Sequence, residues 1–295
     1  MKNLSKSILI AICSAALLST TAHAQVLAAW TFENDSIAVN NSPAASTGTG
    51  TASSIGMATY ATPNVGVTTD DVLVGKGSDT GANTVADTTN TWRVRGQAGS
   101  NGAANGWSSL APIGTQGAVF AVPTTTATSG SINVSFDWYA TTQGEANLQL
   151  EYTTNGTTWT NVPLTLGGSD SGLSVLTGSA SDTNTTQGSY VSDNLLNNSV
   201  AGQDWFTGLK ATITNPAALN DPNFAIELVN ASTGADDIST QGTALNNNSG
   251  NWRFDNVSVT AVAAPEPSTY ALMIGGLALL IGVRVLRRSK NSVQA

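Results

Sequence analysis

The side chains of this sequence that could carry chemistry are almost all carboxylates. The only cysteine is Cys13 and the only histidine is His23. Both lie in the first 24 residues, which have the make-up of an export signal. Lys2 and Lys6 precede an apolar run over 8–18, and Ala22-His23-Ala24 is a small-x-small cleavage pattern. From Gln25 onward the chain therefore has neither thiol nor imidazole. Ser-His-Asp and Cys-His catalysis are excluded there, as are disulfides and thiolate or imidazole metal sites. Acid chemistry remains. Asp137, Glu145 and Glu151 fall on neighbouring predicted strands, and glycoside hydrolysis needs two carboxylates at a set separation. Asp137 and Glu151 alternate with apolar residues, the pattern of a solvated sheet face, so no catalytic residue is assigned.

Carboxylates also bind hard cations. Glu33 and Asp35 follow the first predicted strand and Asp255 lies in the last. A sandwich that brings those strands together would place all three near one another, as oxygen ligands for a structural calcium ion. No other cofactor is required. Asp70-Asp71 and Asp236-Asp237 read as exposed loop charges. Between residues 25 and 264 there are five basic and eighteen acidic residues, a net charge of −13 against −8 for the whole chain. With no basic patch to neutralise phosphates, nucleic acid is excluded as a partner. Neutral sugars fit better, and tryptophan rings stack on them. Trp30, Trp138 and Trp252 sit in apolar strand faces and belong to a core. Trp107, in GQAGSNGAANGWSS, and Trp205, in AGQDWFTG, are the candidate carbohydrate contacts.

These side chains must be positioned by strands. No sustained 3.6-residue apolar period occurs; short alternating runs bounded by Gly, Asn, Pro and Asp recur instead. In SINVSFDWYA, Ile132, Val134, Phe136 and Trp138 share one face. NLQLEYTTNGTTWTNVPL predicts a hairpin with a tight turn at Asn155-Gly156. Further strands are predicted over 27–32, 91–95, 118–122, 209–213, 223–229 and 252–262. The last changes phase between Phe254 and Val257, which predicts either burial on both faces or a bulge near Asp255-Asn256. Residues 40–54 and 167–198 read as loops. The expected fold is an all-β antiparallel sandwich over 25–262. The segments WRVRG, NGWSS, VSFDWYATTQGEANLQLEYTTNGTTWTNV, NFAIELVNA and WRFDNVSV resemble the jelly-roll-like modules of secreted bacterial surface proteins, a resemblance of fold that implies no particular activity.

The segment from 264 onward reads APEPSTYALMIGGLALLIGVRVLRRSKNSVQA. Two prolines hold the backbone of Pro265, Glu266, Pro267 and Ser268 extended and remove amide donors. An uncharged run follows and can extend over 269–286 if Arg284 reaches the interface, which predicts a short transmembrane helix. Arg287 and Arg288 then open a basic end at 287–295, on the side the positive-inside rule assigns to the cytoplasm. Motif, short span and basic end in this order resemble the PEP-CTERM sorting signal of Gram-negative bacteria. That resemblance implies processing by exosortase, an inner-membrane intermediate, and delivery to the cell surface or extracellular matrix. The domains expected are thus a signal peptide over 1–24, a sandwich over 25–262 and a sorting tail over 263–295. The role expected is structural or adhesive, among exopolysaccharide in a biofilm, and not enzymatic. The alternatives are a carbohydrate-binding module and a carboxylate-only enzyme acting on glycosides.

Overall fold

The structure is a computed structural model. It describes residues 24–33, 42–56, 66–69, 90–95, 107–167, 173–176, 188–190, 195–198, 205–234, 237–243, 245–247, 250–263, 275–277 and 281. The described strands are β1 (Ala24–Trp30), β2 (Thr47–Gly48), β3 (Thr51–Ile55), β4 (Gly66–Thr69), β5 (Asn90–Arg95), β6 (Trp107–Ser108), β7 (Gly117–Ala121), β8 (Ser131–Ala140) and β9 (Asn147–Thr153). They continue with β10 (Thr160–Val162), β11 (Leu173–Leu176), β12 (Gly188–Tyr190), β13 (Leu195–Asn198), β14 (Trp205–Ile213), β15 (Ala225–Asn230), β16 (Ser232–Gly234), β17 (Asn246–Asn247) and β18 (Asn251–Val262). The protein is predominantly β, as expected, with two seven-stranded antiparallel sheets.

The first sheet runs β14-β8-β18-β1-β2, and β5 pairs with β18 while carrying β4 at its other edge. The second runs β11-β13-β9-β15-β7-β3, with β10 also paired to β9. Alternation decides which face each strand buries. In β8 the even-numbered Ile132, Val134, Phe136 and Trp138 are buried. In β18, Trp252 and Phe254 point inward, then Val257, Val259 and Ala261 do. Asn256 stands between them with φ 48, so a single left-handed residue switches the inward parity from even to odd.

The inward faces meet in one core. Trp30 and Trp92 of the first sheet lie 5.1 and 5.8 Å from Phe120 of the second, both edge to face. Phe254 meets the same ring at 6.0 Å. Each edge-to-face pair contributes on the order of 1 kcal/mol beyond its burial.

Three expectations need correction. The 40–54 stretch, read as a loop, contains β2 and β3, and β3 closes the edge of the second sheet against β7. The 167–198 stretch contains β11, β12 and β13. Ser and Thr give β3 no apolar alternation, and backbone pairing at a sheet edge needs none; β11 (LSVL) and β13 (LLNN) are four residues each, too short to show a period. The Asn155-Gly156 hairpin forms, but with a longer connection than a two-residue turn, because β9 ends at Thr153 and β10 begins at Thr160. Gly156 has φ 74, and Asn155 Oδ1 accepts from the amides of Thr157 and Thr158 at 2.9 and 2.8 Å.

Residues Gln25–Ala261 make up one compact unit; residues 1–24 and 262–295 are grouped apart from it. The expected export signal lies outside the described residues except for Ala24, and so do the 265–268 motif and the basic end. Of the apolar run, residues 275–277 and 281 are described; they are helical and exposed. Among the described residues no helix is long and apolar enough to cross a membrane.

Candidate functional site

Two pairs of carboxyl groups dominate the polar chemistry of the described residues. The first is built at the entrance to β9. The β8–β9 turn delivers Glu145, and Asn147 opens β9 itself. Ser232 opens β16, and Asp237 follows it. The segment after Asp237 lies against the turn: Ala146 N donates to Ile238 O at 3.0 Å and Thr240 N to Gly144 O at 3.1 Å. Gly250 also packs closely against this turn. A Cβ there would stand 1.9 Å from Gln143 O. Trp252 seals the cluster from the core side, donating Nε1–H to Glu145 O at 2.7 Å.

Glu145, Asn147, Ser232 and Asp237 are all 0% exposed. Glu145 Oε1 accepts from Asn147 N at 2.9 Å and from Ser232 Oγ at 3.1 Å. Asn147 Nδ2 donates to Ser232 Oγ at 2.9 Å. The Glu145 and Asp237 carboxyls are in hydrogen-bonding contact with one another, and Ser232 also reaches Asp237. Burial, then the facing Asp237 carboxyl, hold the Glu145 pKa well above the usual carboxylate range. Burial pushes Asp237 up to about 7.

The second pair lies on the outward face of the second sheet. Glu151 of β9 and Glu227 of β15 are direct cross-strand partners, and Asn161 of β10 stands opposite Glu151 on its other side. Asn161 Nδ2 donates to Gln149 Oε1 at 2.8 Å, so two amides flank the acids. Burial pushes Glu227 up to about 9, with the Glu151 carboxyl in hydrogen-bonding contact as the next cause. Like carboxyls directly opposite on neighbouring strands repel, and holding one proton between them removes the repulsion. A retaining glycosidase spaces its two carboxyls about 5 Å apart so that a glycosidic bond fits between them. Groups in hydrogen-bonding contact leave no such space.

The residues singled out in the sequence are dispersed. Asp137 is buried on the first sheet, not solvated. It accepts from Gly208 N at 2.6 Å and from Asn256 Nδ2 at 3.0 Å, and so holds the irregularities of β14 and β18 together. Its strand, β8, belongs to the first sheet, Glu151 to the second, and Glu145 to the turn between β8 and β9. Glu33 is exposed in the turn after β1, whereas Asp255 is fully buried and accepts the Asn256 amide at 2.7 Å. Asp35 lies outside the described residues, as do Asp70, Asp71 and Asp236. β1 and β18 are neighbours, as the calcium expectation required. No group of three or more acidic, histidine or cysteine side chains close enough to hold a metal occurs among the described residues. Asp237, read as an exposed loop charge, is instead buried.

Trp107 is a further correction. It is 0% exposed, and its ring lies 4.5 Å from that of Trp252. β6, which carries it, pairs with β17 and turns the indole inward, so it offers no face to a sugar. Trp205 is half-buried, 5.5 Å from the Tyr139 ring, and the Arg253 guanidinium lies 5.5 Å from that same tyrosine. No family model, no curated protein and no solved structure matches this chain.

Proposed function

We propose that this chain is an exported surface or extracellular-matrix protein with a non-enzymatic sandwich, wound as a jelly roll, whose role is structural or adhesive among exopolysaccharide. The observation that carries the reading is the Pro265-Glu266-Pro267-Ser268 motif followed by an apolar run and the Arg287-Arg288 pair. The order suits an address read at the membrane: an extended ligand, a short span that fixes its depth, and a basic stop that fixes its orientation. Residues 1–24 act as the export signal. Exosortase is the processing partner, and the inner membrane holds the intermediate. The packed aromatic core and the absence of His and Cys after residue 24 support a scaffold more than a catalyst.

The test is the intact mass of the surface-released protein in exosortase-positive and exosortase-null hosts. A product running from Gln25 to the neighbourhood of Pro267, formed only with exosortase, is expected. A released product that still carries Arg287 and Arg288 in both hosts would make the tail an ordinary anchor.

A second reading, a carbohydrate-binding module, is favoured by Trp205. Its partly open ring beside Tyr139 is the one tryptophan of the two candidates left available for stacking.

A further inference from the structure

The acidic balance of the chain is not shared by its two sheets. Of the five basic residues between 25 and 264, four lie in strands of the first sheet: Arg93 and Arg95 in β5, Lys210 in β14 and Arg253 in β18. The fifth, Lys76, lies outside the described residues. The strands of the first sheet carry only two carboxylates, Asp137 and Asp255. The strands of the second carry Glu151, Glu227 and no basic residue.

Register lines four outward side chains of the first sheet up across neighbouring strands. Trp205 of β14 is the direct partner of Tyr139 of β8, and Arg253 of β18 is that of Arg93 of β5. Tyr139, Arg253 and Arg93 each stand between two buried core residues of their own strand, so each belongs to the outer face. Tyr139 joins the two halves, with the Trp205 ring 5.5 Å away on one side and the Arg253 guanidinium 5.5 Å away on the other. Beyond Arg93 comes Gly66 of β4, which adds no side chain to the row. Tyr139 and Arg253 are buried within the row, while Trp205 and Arg93 at its ends are half-buried and reach solvent. Lys210, exposed between the buried Leu209 and Ala211, lies farther along β14 on the same face. Like charges directly opposite on neighbouring strands repel. Asp255, two residues beyond Arg253, is one fully buried carboxylate against two guanidiniums, so the row keeps a positive excess that an anion lying against it offsets.

We propose that this row binds an acidic polysaccharide laid across the strands of the first sheet. Trp205 stacks on a sugar ring, Arg93 holds a sugar carboxylate in its guanidinium fork, and Tyr139 and Arg253 form the spine that fixes both ends. The proposal rests on the reading of Trp205 as a sugar contact and names the class of sugar. Three strand spacings separate Trp205 from Arg93, about 14 Å. That is longer than one sugar ring, so the ligand is a chain. An aromatic ring at one end and a planar cation at the other suit a polymer with apolar ring faces and carboxylate substituents. A nucleic acid needs a run of cations along its phosphates, which two arginines do not supply.

The probe is polygalacturonate, set against the same polymer with its carboxyls methyl-esterified, which keeps the rings and removes the charge. Isothermal titration of the exported protein at low salt should show the acid form binding at least about tenfold tighter than the ester, the ratio one charge-assisted contact confers. Added salt should narrow that gap. Arg93→Gln should bring the acid form down to the affinity of the ester and leave the ester unchanged, whereas Trp205→Ala should weaken both. Equal wild-type affinity for the two forms overturns the acidic ligand and leaves the sugar contact standing. An Arg93→Gln variant that keeps the full preference for the acid form also overturns the proposal. Wild-type protein that binds neither polymer overturns the proposal and the sugar contact together. If Arg93→Gln does not melt cooperatively, the wild-type comparison of acid and ester, with its salt dependence, decides in the same way.

Discussion

Glu227 gives the sharpest quantitative prediction. Its folded pKa lies at about 9, against 4.5 as the ordinary value. Between those two pH values the folded chain holds a proton that the unfolded chain releases, so stability falls as pH rises. The contribution is complete below about 4.5 and lost by about 9. Each unit of pH in that window corresponds to about 1.4 kcal/mol at most, or ~4 kcal/mol between pH 6 and pH 9. Glu151 is only half-buried, and water reaching its side of the pair screens the repulsion, so ~2 kcal/mol is the better expectation. Glu227→Gln keeps the shape and removes the titration. It should already be more stable than wild type at pH 6, and that advantage should grow by ~2 kcal/mol by pH 9, which for a unit of this size is a melting-temperature gap wider by about 4–8 °C. Any titration of Glu145 and Asp237 is common to both proteins and cancels in the difference. Glu151→Gln should recover only part of the gain, because burial, the first cause, remains. Differential scanning calorimetry of both variants and the wild type at pH 6, 7.5 and 9, in one chelator-containing buffer series, measures this. Parallel melting curves for wild type and Glu227→Gln across that range would refute the shared-proton reasoning.

Three further perturbations test the fold and the sugar reading. Gly250→Ala drives a methyl into Gln143 O, 1.9 Å from its Cβ, and should cost about 2–4 kcal/mol in a urea unfolding midpoint. Asp137→Ala leaves Gly208 N without the side-chain acceptor that now binds it at 2.6 Å and should cost ~2–3 kcal/mol by the same measurement, with the fold retained. Trp205→Ala should abolish any selective hit on a glycan array while lowering the melting temperature by only a few degrees, about 2–4 °C per kcal/mol lost; array binding that survives the substitution removes Trp205 from the sugar reading.

The sequence announced the strands with apolar alternation and little else. β8 appears residue for residue as SINVSFDWYA, and the phase change in β18 resolves into the left-handed Asn256. β3 and β12 carry Ser, Thr and Gly at a sheet edge or in a two-stranded sheet, where backbone pairing leaves no hydrophobic period to read, and β11 (LSVL) and β13 (LLNN) are too short to show one. The carboxyl pairs were hidden for a different reason. Glu145 sits in TTQGEA and Asp237 in GADD, both of which look like polar turns, and only the pairing of segments about ninety residues apart buries them. Glu227 had a visible signal. In AIELVN every residue is buried, and an acid inside an otherwise apolar strand must find a partner or a proton. Trp107 was misplaced by its company: a glycine- and asparagine-rich approach says nothing about where the indole goes once β6 meets β17.

β18 lies between β8 on one side and β1 and β5 on the other, so it does more than finish the first sheet. Until it is in place, β14–β8, β1–β2 and β4–β5 are three separate ribbons with no backbone bond linking them into one sheet. A chain emerging from its N-terminus therefore cannot close this sheet until residues 251–262 have arrived. Closure waits on pairings that span most of the chain, which slows folding. Under the proposed export, in which the chain crosses a membrane as an unfolded thread, this topology keeps the first sheet open until residues 251–262 have arrived.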